Sequence, residues 1–233
     1  MTSCYIPKIF LRVTIQNQIC VAQRGAVNKI IQFRPLCHGN IQHILDPSAV
    51  DGNSSPIPDQ QIREILEFGI RNVPSAFNSQ STRVVLLLRD SHKKLWAKTK
   101  SILKGIVPPD AFVKTAAKID KSFASGYGTV LFFEDLVIVN QLQETFPTYK
   151  EKFPIWAQQT SAMHQLVIWS MLEEAGFGVS LQHYNPLIDE MVQQEWQISS
   201  SWELVAQMPF GIPVSPPDSK ESKAVGDRVL VFE

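Results

Sequence analysis

The segment from Trp156 to Ala175 places the strongest constraint on how this chain can fold. It contains no glycine or proline, and its length predicts one long helix. Its C-terminal half, Leu166 to Leu172, is apolar on almost every side, and a helix without a polar face must be surrounded by protein. In a domain of this size we therefore expect a central helix that is shared with a second subunit.

Short apolar runs mark the strands of a predicted sheet. Residues 83–88 and 128–135 are too short and too apolar for surface helices, and we interpret them as buried strands. Further strands are predicted within residues 176–185, 201–213 and 227–233. Long helical stretches separate these strands, which favours an α+β or α/β layered fold with helices covering a sheet of about four or five strands.

The beginning of the chain has an unusual composition. Residues 1–45 contain no Asp or Glu, and all three cysteines of the chain lie there without CxxC spacing. This pattern indicates neither a disulfide framework nor a zinc site, and it favours a reducing compartment. An organelle transit peptide and an unreliable start of the coding sequence both stay open. We expect an atypical N-terminal extension at residues 1–54 and a folded domain at residues 55–233.

Charge and hydropathy exclude two classes of partner. Lys and Arg together number 22, as do Asp and Glu, so the chain lacks the basic excess of a general nucleic-acid binder. No apolar run approaches the roughly 18 residues that span a bilayer. We expect a cytoplasmic protein without membrane contact; the nucleus stays open as a location, and the mitochondrion is less favoured.

An uncharged polar loop separates the first predicted helix from the first predicted strand. The helix carries one apolar stripe and ends at Pro74. The polar loop lies within residues 73–82, of sequence VPSAFNSQST. Side-chain amides both donate and accept hydrogen bonds, as a flat heterocycle with alternating carbonyl and N–H edges requires. Serine, asparagine and proline are also ordinary turn residues, so the loop by itself leaves both interpretations open.

Four blocks in a fixed order give the chain a family resemblance. Residues 74–81 (PSAFNSQS), 124–135 (ASGYGTVLFFED), 180–189 (SLQHYNPLID) and 206–213 (AQMPFGIP) together resemble the nitroreductase family. The likeness is strongest to its fungal branch, related to the yeast fatty-acid-repression-mutant protein. It implies an α+β sandwich in which helices cover a central mixed sheet. It also implies an intertwined homodimer with two FMN molecules at the subunit interface.

The resemblance assigns candidate flavin contacts to the polar loop. Asn78 and Gln80 match the amide positions of the family and would bind the polar edge and the ribityl chain of FMN. Pro74 and Ser75 would shape the loop against the flavin. These four residues form the first group of candidates.

Two further groups follow later in the chain. Gln182 and His183 match the stretch that lies along the isoalloxazine ring. Arg228 matches a late basic position that holds the FMN phosphate, because an arginine fork can bind phosphate with two hydrogen bonds. Lys223 is a weaker candidate for the same role. The terminal strand that contains Arg228 would reach toward the partner subunit.

One departure from the family concerns the phosphate site. Family members carry Arg-Arg-Ser/Thr upstream of the position of Ser55, where this chain reads HILDPSA at residues 43–49. Each charge-assisted hydrogen bond is worth about 1.5–3 kcal/mol, so losing two weakens binding by about two to four orders of magnitude. Three explanations stay open: FMN is held weakly, Arg34 substitutes, or this N-terminus is not the native one.

The resemblance implies an FMN-dependent oxidoreductase of nitroaromatic or quinone-like electrophiles, set in an oxidative-stress or lipid-signalling response. NADH or NADPH would reduce the flavin, and the acceptor would then use the same site, which predicts ping-pong kinetics. No catalytic acid, nucleophile or metal ligand is assigned. The alternative is a flavin-poor regulatory or lipid-responsive binding protein that keeps the fold without turnover. The missing arginines favour this alternative, whereas Asn78 and Gln80 favour the enzyme.

Other notable side chains are expected to be structural. We interpret His164, in the central helix, as a packed core residue and Trp156 as a core or dimer residue. Glu134 and Asp135 follow a buried strand, where capping of the next helix explains them.

Overall fold

Helices and short strands alternate along the folded part of the chain. The computed structural model describes residues 54–214 and 223–233. The strands in this part are β1 (Thr82–Leu88), β2 (Gly128–Asp135), β3 (Gly178–Val179) and β4 (Trp202–Gly211). The helices are α1 (Asp59–Asn72), α2 (Arg89–Lys104), α3 (Pro109–Ser122), α4 (Leu136–Thr145), α5 (Phe153–Glu174) and α6 (Asp189–Trp196).

The connection between β1 and β2 sets the direction of the sheet, whose strand order is β1-β2-β4-β3. α2 and α3 pack as a helical hairpin, which returns the chain to the end of the sheet that it left, so β2 runs antiparallel to β1. β4 in turn pairs antiparallel with both β2 and β3. The α+β sandwich is confirmed, but the expected mixed sheet needs correction, because the described strands pair only in antiparallel fashion.

Side chains of β2 alternate between two cores, one on each face of the sheet. Val130 and Phe132 join the core that includes residues of α1 and α5. Leu131 and Phe133 join the core that includes residues of α2, α3 and α6. Burial on both faces makes residues 130–133 continuously apolar, and this run is why the sequence identified β2 so clearly.

α5 packs against α1 and one face of the sheet, and the expected burial on every side is not seen in the single chain. Ile168 is fully buried beside α1, where a β carbon added to Gly69 would lie 2.8 Å from Cγ1 of Ile168. The glycine therefore allows the two helices to approach closely. The other face of α5 stays open to solvent in the single chain, because Ile155, Met163 and Leu166 are all exposed.

The strand predicted within residues 176–185 is shorter than expected. Only β3 forms there, followed by an isolated bridge between Gln182 and Gln207. The turn residues that follow, up to Pro186, end the pairing with β4.

The predicted terminal strand at residues 227–233 is absent from the single chain. Gly226–Arg228 forms a 3₁₀ turn, and the side chains of Val229–Phe232 are 61% to 90% exposed. A strand must pair its backbone N–H and C=O groups with a neighbour, and no described strand pairs with this segment. The expectation of a strand is therefore wrong for one chain alone.

Two sequence features fall outside the described residues. The predicted N-terminal extension at residues 1–54 lies there apart from Ser54, and so do Arg34 and the HILDPSA segment. Among the helices that the structure describes, none is long and apolar enough to cross a membrane.

Candidate functional site

The polar loop between α1 and β1 closes into a compact turn. α1 ends at Asn72, and Ala76–Asn78 form a short 3₁₀ segment. The backbone N–H of Asn78 donates to the carbonyl of Ser75 at 3.0 Å, and the N–H of Gln80 donates to the Ser75 hydroxyl at 3.0 Å. Ser75 therefore organises the loop, and its role in shaping the loop against a flavin stays a prediction.

Three residues of this loop adopt left-handed backbone geometry. The φ angles of Phe77, Asn78 and Gln80 are 55°, 52° and 48°, and none of the three is a glycine. Such angles are uncommon for residues with a side chain, and they cluster at active sites and ligand clamps. The loop thus carries the backbone signature of a functional site.

The two predicted amide side chains lie side by side. Nε2 of Gln80 donates to Oδ1 of Asn78 at 3.1 Å, and both side chains are exposed. Each carboxamide has two donors and two acceptor lone pairs, so one mutual hydrogen bond leaves most of their capacity available. The pair can present an uncharged array of donors and acceptors to a ligand.

A groove of about 720 Å³ runs beside this pair, between α1, the edge strand β1 and α5. Ser75 and Gln80 line its polar end, and Leu66, Ile70 and Val84 are among its apolar walls. Small-molecule sites are typically clefts of about 300–1,000 Å³ with mostly apolar walls and a few polar groups. The groove has the volume of such a site, and the charged side chains of Arg63, Glu67 and Arg83 line it beside the apolar ones.

Aromatic packing supports the left-handed geometry of Phe77. Its ring lies 5.0 to 5.8 Å from four other aromatic rings, those of Phe146, Tyr149, Phe153 and Trp156, with the indole stacked nearly parallel to it. Trp156 is thus a packing residue, as the sequence predicted. The aromatic cluster fixes the loop against α5, and nothing in the sequence pattern had identified Phe77 as its centre.

Glu134 holds the far end of the loop and was misinterpreted from the sequence. Its side chain is 1% exposed, and its two oxygens accept hydrogen bonds of 2.6 Å from the hydroxyls of Ser81 and Thr82. Burial raises the pKa of Glu134, while the hydrogen bonds from the two hydroxyls oppose that rise. The expected capping role of Glu134 is therefore wrong. Only the strand register, which sets Thr82 opposite Glu134, could have revealed this pairing.

Asp135 performs the capping role that the sequence predicted. Its Oδ1 accepts a hydrogen bond from the N–H of Val137 in the first turn of α4. Its Oδ2 lies 3.1 Å from Nη2 of Arg83, and Nη1 of that arginine donates to the carbonyl of Gln80 at 2.6 Å. Asp135 thus both caps α4 and supports the loop through Arg83.

The second group of candidates, Gln182 and His183, lies at the edge of the sheet opposite β1. Gln182 donates to the Ser180 hydroxyl at 2.8 Å and bridges to Gln207, and the neighbouring His183 is exposed. Three strand spacings separate this bridge from β1, which is about 14 Å. Within one chain, Gln182 and His183 are therefore not brought together with Asn78.

The third group lies on the C-terminal segment. Lys223 and Arg228 are both exposed, and within the described residues no hydrogen bond or ion pair links either side chain to the loop at residues 73–82. The candidate phosphate contacts thus remain separate from the amide pair in a single chain.

His164 borders the groove but has the properties of a packed residue. It is buried, and its Nδ1 lies 2.9 Å from the carbonyl oxygen of Thr160 one turn earlier in α5. Burial lowers the pKa of His164, which keeps the ring neutral. The described residues also contain no cluster of acidic, histidine or cysteine side chains that could hold a metal ion.

Comparisons with known proteins agree with this geometry. The model of the family described as "Nitroreductase family" matches residues 53–212. Two proteins of Saccharomyces cerevisiae are similar in sequence: HBN1 is 36% identical over 159 residues, covering 68% of this chain and 78% of HBN1, and nitroreductase FRM2 is 34% identical over 151 residues, covering 65% and 74%.

Solved structures show the same likeness. The nitroreductase CinD from Lactococcus lactis, in complex with nicotinic acid, has a TM-score of 0.72 at 36% identity and covers 83% of this chain and 97% of its own. A nitroreductase from Saccharomyces cerevisiae has a TM-score of 0.61 at 29% identity, covering 76% and 92%.

Proposed function

The chain belongs to the nitroreductase family, and from that premise we propose that it is an FMN-dependent oxidoreductase of the cytoplasm. Its substrates would be NADH or NADPH as the electron donor and a nitroaromatic or quinone-like compound as the acceptor. CinD has been solved in complex with 4-nitrophenol, which supports this class of acceptor. A role in an oxidative-stress or lipid-signalling response is part of the same proposal.

The observation that carries the proposal is the strained amide loop beside the groove. Asn78 and Gln80 both have left-handed backbone geometry, their carboxamides are hydrogen-bonded to each other, and Gln80 lines the groove. An isoalloxazine ring has an apolar body and a polar edge of alternating donors and acceptors, and this arrangement suits both parts. The two carboxamides carry no charge, which suits the uncharged polar edge of the ring.

The residues present fit FMN. They would bind and orient it, and the flavin would supply the redox chemistry. The flavin supplies the chemistry of accepting a hydride and passing electrons to the acceptor. Asn78 and Gln80 bind and orient its polar edge, Ser75 and Pro74 shape the loop against it, and apolar groove walls such as Leu66 exclude water. No side chain of the loop is assigned a proton-transfer role.

The separation of the candidate residues supports a homodimeric site. Gln182 and His183 lie on the opposite side of the sheet from Asn78, so both groups contact one flavin only when they come from different chains. The exposed apolar face of α5, with Ile155 and Leu166, offers the surface on which two copies pack. This interface also accounts for the apolar composition of residues 166–172 in α5.

The C-terminal segment supports an intertwined arrangement of the two copies. β1 is an edge strand of the described sheet, and exposed edges are sites at which another strand can pair. The apolar segment Val229–Phe232 has extended geometry at Val229 and no pairing partner among the described strands. Addition of this segment to β1 of a partner would bury it and would bring Arg228 to the second subunit.

A second candidate function rests on the missing arginine motif. Residues 43–49 offer no arginine for the flavin phosphate, so a flavin-poor regulatory or lipid-responsive binding protein with the same fold is the competing proposal. The two functions differ in flavin binding, which a simple experiment measures.

Incubation of the purified full chain with excess FMN, followed by desalting, tests the enzyme directly. We expect a yellow protein that oxidises NADH or NADPH when 4-nitrophenol or a quinone is added, with the parallel double-reciprocal lines of ping-pong kinetics. A protein that stays colourless and takes up no flavin would instead support the binding protein.

Removal of the Asn78 carboxamide is expected to weaken FMN binding about tenfold, because one hydrogen bond to the flavin edge is lost. Asn78→Ala tests this by FMN fluorescence titration. Asn78→Gly removes the same amide but tolerates the φ of 52°, so it separates the amide from backbone strain. Little loss of fold is expected, because the side chain is exposed and its hydrogen bond is to exposed Gln80.

The matched control is Asn72→Ala, which deletes an exposed amide that donates to the carbonyl of Phe68 in α1. This control is expected to leave the FMN dissociation constant unchanged. An unchanged titration for both Asn78 variants would show that the loop does not contact the flavin.

A further inference from the structure

Glu134 lies outside the groove, yet every one of its polar contacts leads back to the loop. Its carboxyl oxygens accept hydrogen bonds from Ser81 and Thr82, the two residues that follow the amide pair. The side chain is buried at the end of β2, with Thr82 directly opposite on β1. Because it is buried, Glu134 cannot touch a ligand in the groove and can act only through the residues that it holds.

The loop needs such an anchor because its backbone is strained. A left-handed conformation costs about 1–2 kcal/mol for a residue with a side chain, and the loop contains three such residues. Strained geometry persists only where the surrounding structure enforces it. The packing of Phe77 enforces it at the start of the loop, and Ser81 must be fixed for the end of the loop to stay in place.

A single carboxyl group makes two bonds at this position. Ser81 is held from both sides, since its hydroxyl bonds to Glu134 and its carbonyl accepts the backbone N–H of Asp135 at 2.9 Å. The hydroxyl of Ser79 lies 3.4 Å from that of Ser81, which extends the network one step toward Gln80. These hydrogen bonds thus connect Glu134, at the end of β2, with the loop that carries the amide pair.

We propose that Glu134 is a positioning residue, which holds the Asn78–Gln80 amide pair in flavin-binding geometry through the hydroxyls of Ser81 and Thr82. This inference rests on the proposed FMN site. When a loop occupies its binding geometry only part of the time, the apparent dissociation constant rises by the inverse of that fraction. Loss of the Glu134 contacts therefore weakens flavin binding without removing any flavin contact.

Two substitutions at Glu134 separate hydrogen bonding from packing. Glu134→Leu introduces an apolar side chain of similar size and removes both acceptors. Glu134→Gln can still bond both hydroxyls, because its amide accepts from one and donates to the other. We expect Glu134→Leu to raise the FMN dissociation constant about tenfold and Glu134→Gln to remain within about twofold of the wild type. Ser81→Ala, which removes one of the two hydroxyls that bond Glu134, should lie between them.

A readout in the flavin-free protein makes the test independent of activity. Amide hydrogen exchange of the peptide covering residues 74–81 should accelerate in Glu134→Leu and stay unchanged in Glu134→Gln. The matched control is Thr129→Val, which removes a buried hydroxyl of β2 that bonds His92 and Trp96 far from the loop. It should lower the melting temperature while leaving FMN affinity and loop exchange unchanged.

The outcomes distinguish this inference from the proposed function. If Glu134→Leu binds FMN like the wild type while Asn78→Ala does not, the positioning role is wrong and the flavin site stands. If Thr129→Val weakens FMN as strongly as Glu134→Leu at equal loss of melting temperature, the effect is general destabilisation, and the inference is overturned. If the wild type binds no FMN, the proposed function and this inference fall together.

Discussion

The Leu166→Asp variant is expected to be a monomer at concentrations at which the wild-type chain is a dimer. Leu166 is 50% exposed on the open face of α5, in line with Ile155 and Met163. In the proposed homodimer this face packs against its own copy, so one substitution places two carboxylates in an apolar interface. A buried unpaired charge costs several kcal/mol, which predicts that the dimer dissociation constant rises at least about a thousandfold.

Light scattering coupled to size-exclusion chromatography measures this directly, and FMN titration of the same sample measures the site. Flavin binding should be lost together with the dimer, because the candidate contacts come from two chains. Val113→Asp is the matched control, since Val113 is an exposed apolar residue on the outer helix α3. A dimeric Leu166→Asp variant would refute the proposed interface, and a monomeric wild type that binds FMN would refute the two-chain site.

The part of the fold that the sequence predicted best is the part with continuous apolar runs. β2 was expected at residues 128–135 and occupies Gly128–Asp135, because burial on both faces makes residues 130–133 a continuous apolar run. The central helix was recognised for the same reason, since its second half has no polar face. Extensive burial favours an apolar composition, which is visible without a structure.

The features that sequence reasoning missed depend on relations between distant residues. The role of Glu134 follows from the register that sets Thr82 opposite it, and a single sequence does not specify register. The left-handed geometry of Phe77 and Gln80 could not be predicted either, because neither is a glycine. The terminal strand was predicted from the apolar segment within residues 227–233, which pairs with no described strand in one chain. In each case the sequence did not specify which other residues would lie beside the one in question.

A buried polar network centred on Thr129 makes stability depend on pH. Nε1 of Trp96 donates to the Thr129 hydroxyl at 3.0 Å, and that hydroxyl lies 2.8 Å from Nδ1 of His92. His92 is 0% exposed, and its Nε2 lies 3.3 Å from the carbonyl oxygen of Ala124. A neutral ring with its proton on Nε2 satisfies every one of these groups, because the threonine hydroxyl can then donate to Nδ1.

Acidification from pH 7 to pH 5 is therefore expected to lower the free energy of unfolding through His92. Burial lowers the pKa of His92 from 6.5 to about 4, so in this pH range the unfolded chain takes up a proton that the folded chain refuses. The contribution of His92 to the free energy of unfolding is fully present above its pKa in the unfolded chain. It declines as pH falls toward its pKa in the folded chain. The linkage relation gives a loss of about 2 kcal/mol between pH 7 and pH 5.

Urea unfolding of the wild type and of His92→Gln at both pH values isolates this contribution. The glutamine can keep a hydrogen bond to Thr129 or Ala124 but does not titrate, so the variant should lose about 2 kcal/mol less than the wild type on acidification. Other buried groups, such as His164 and Glu134, titrate in both proteins and cancel in the comparison. Equal losses in the two proteins would mean that His92 takes up a proton in the folded chain, which contradicts a neutral, buried ring.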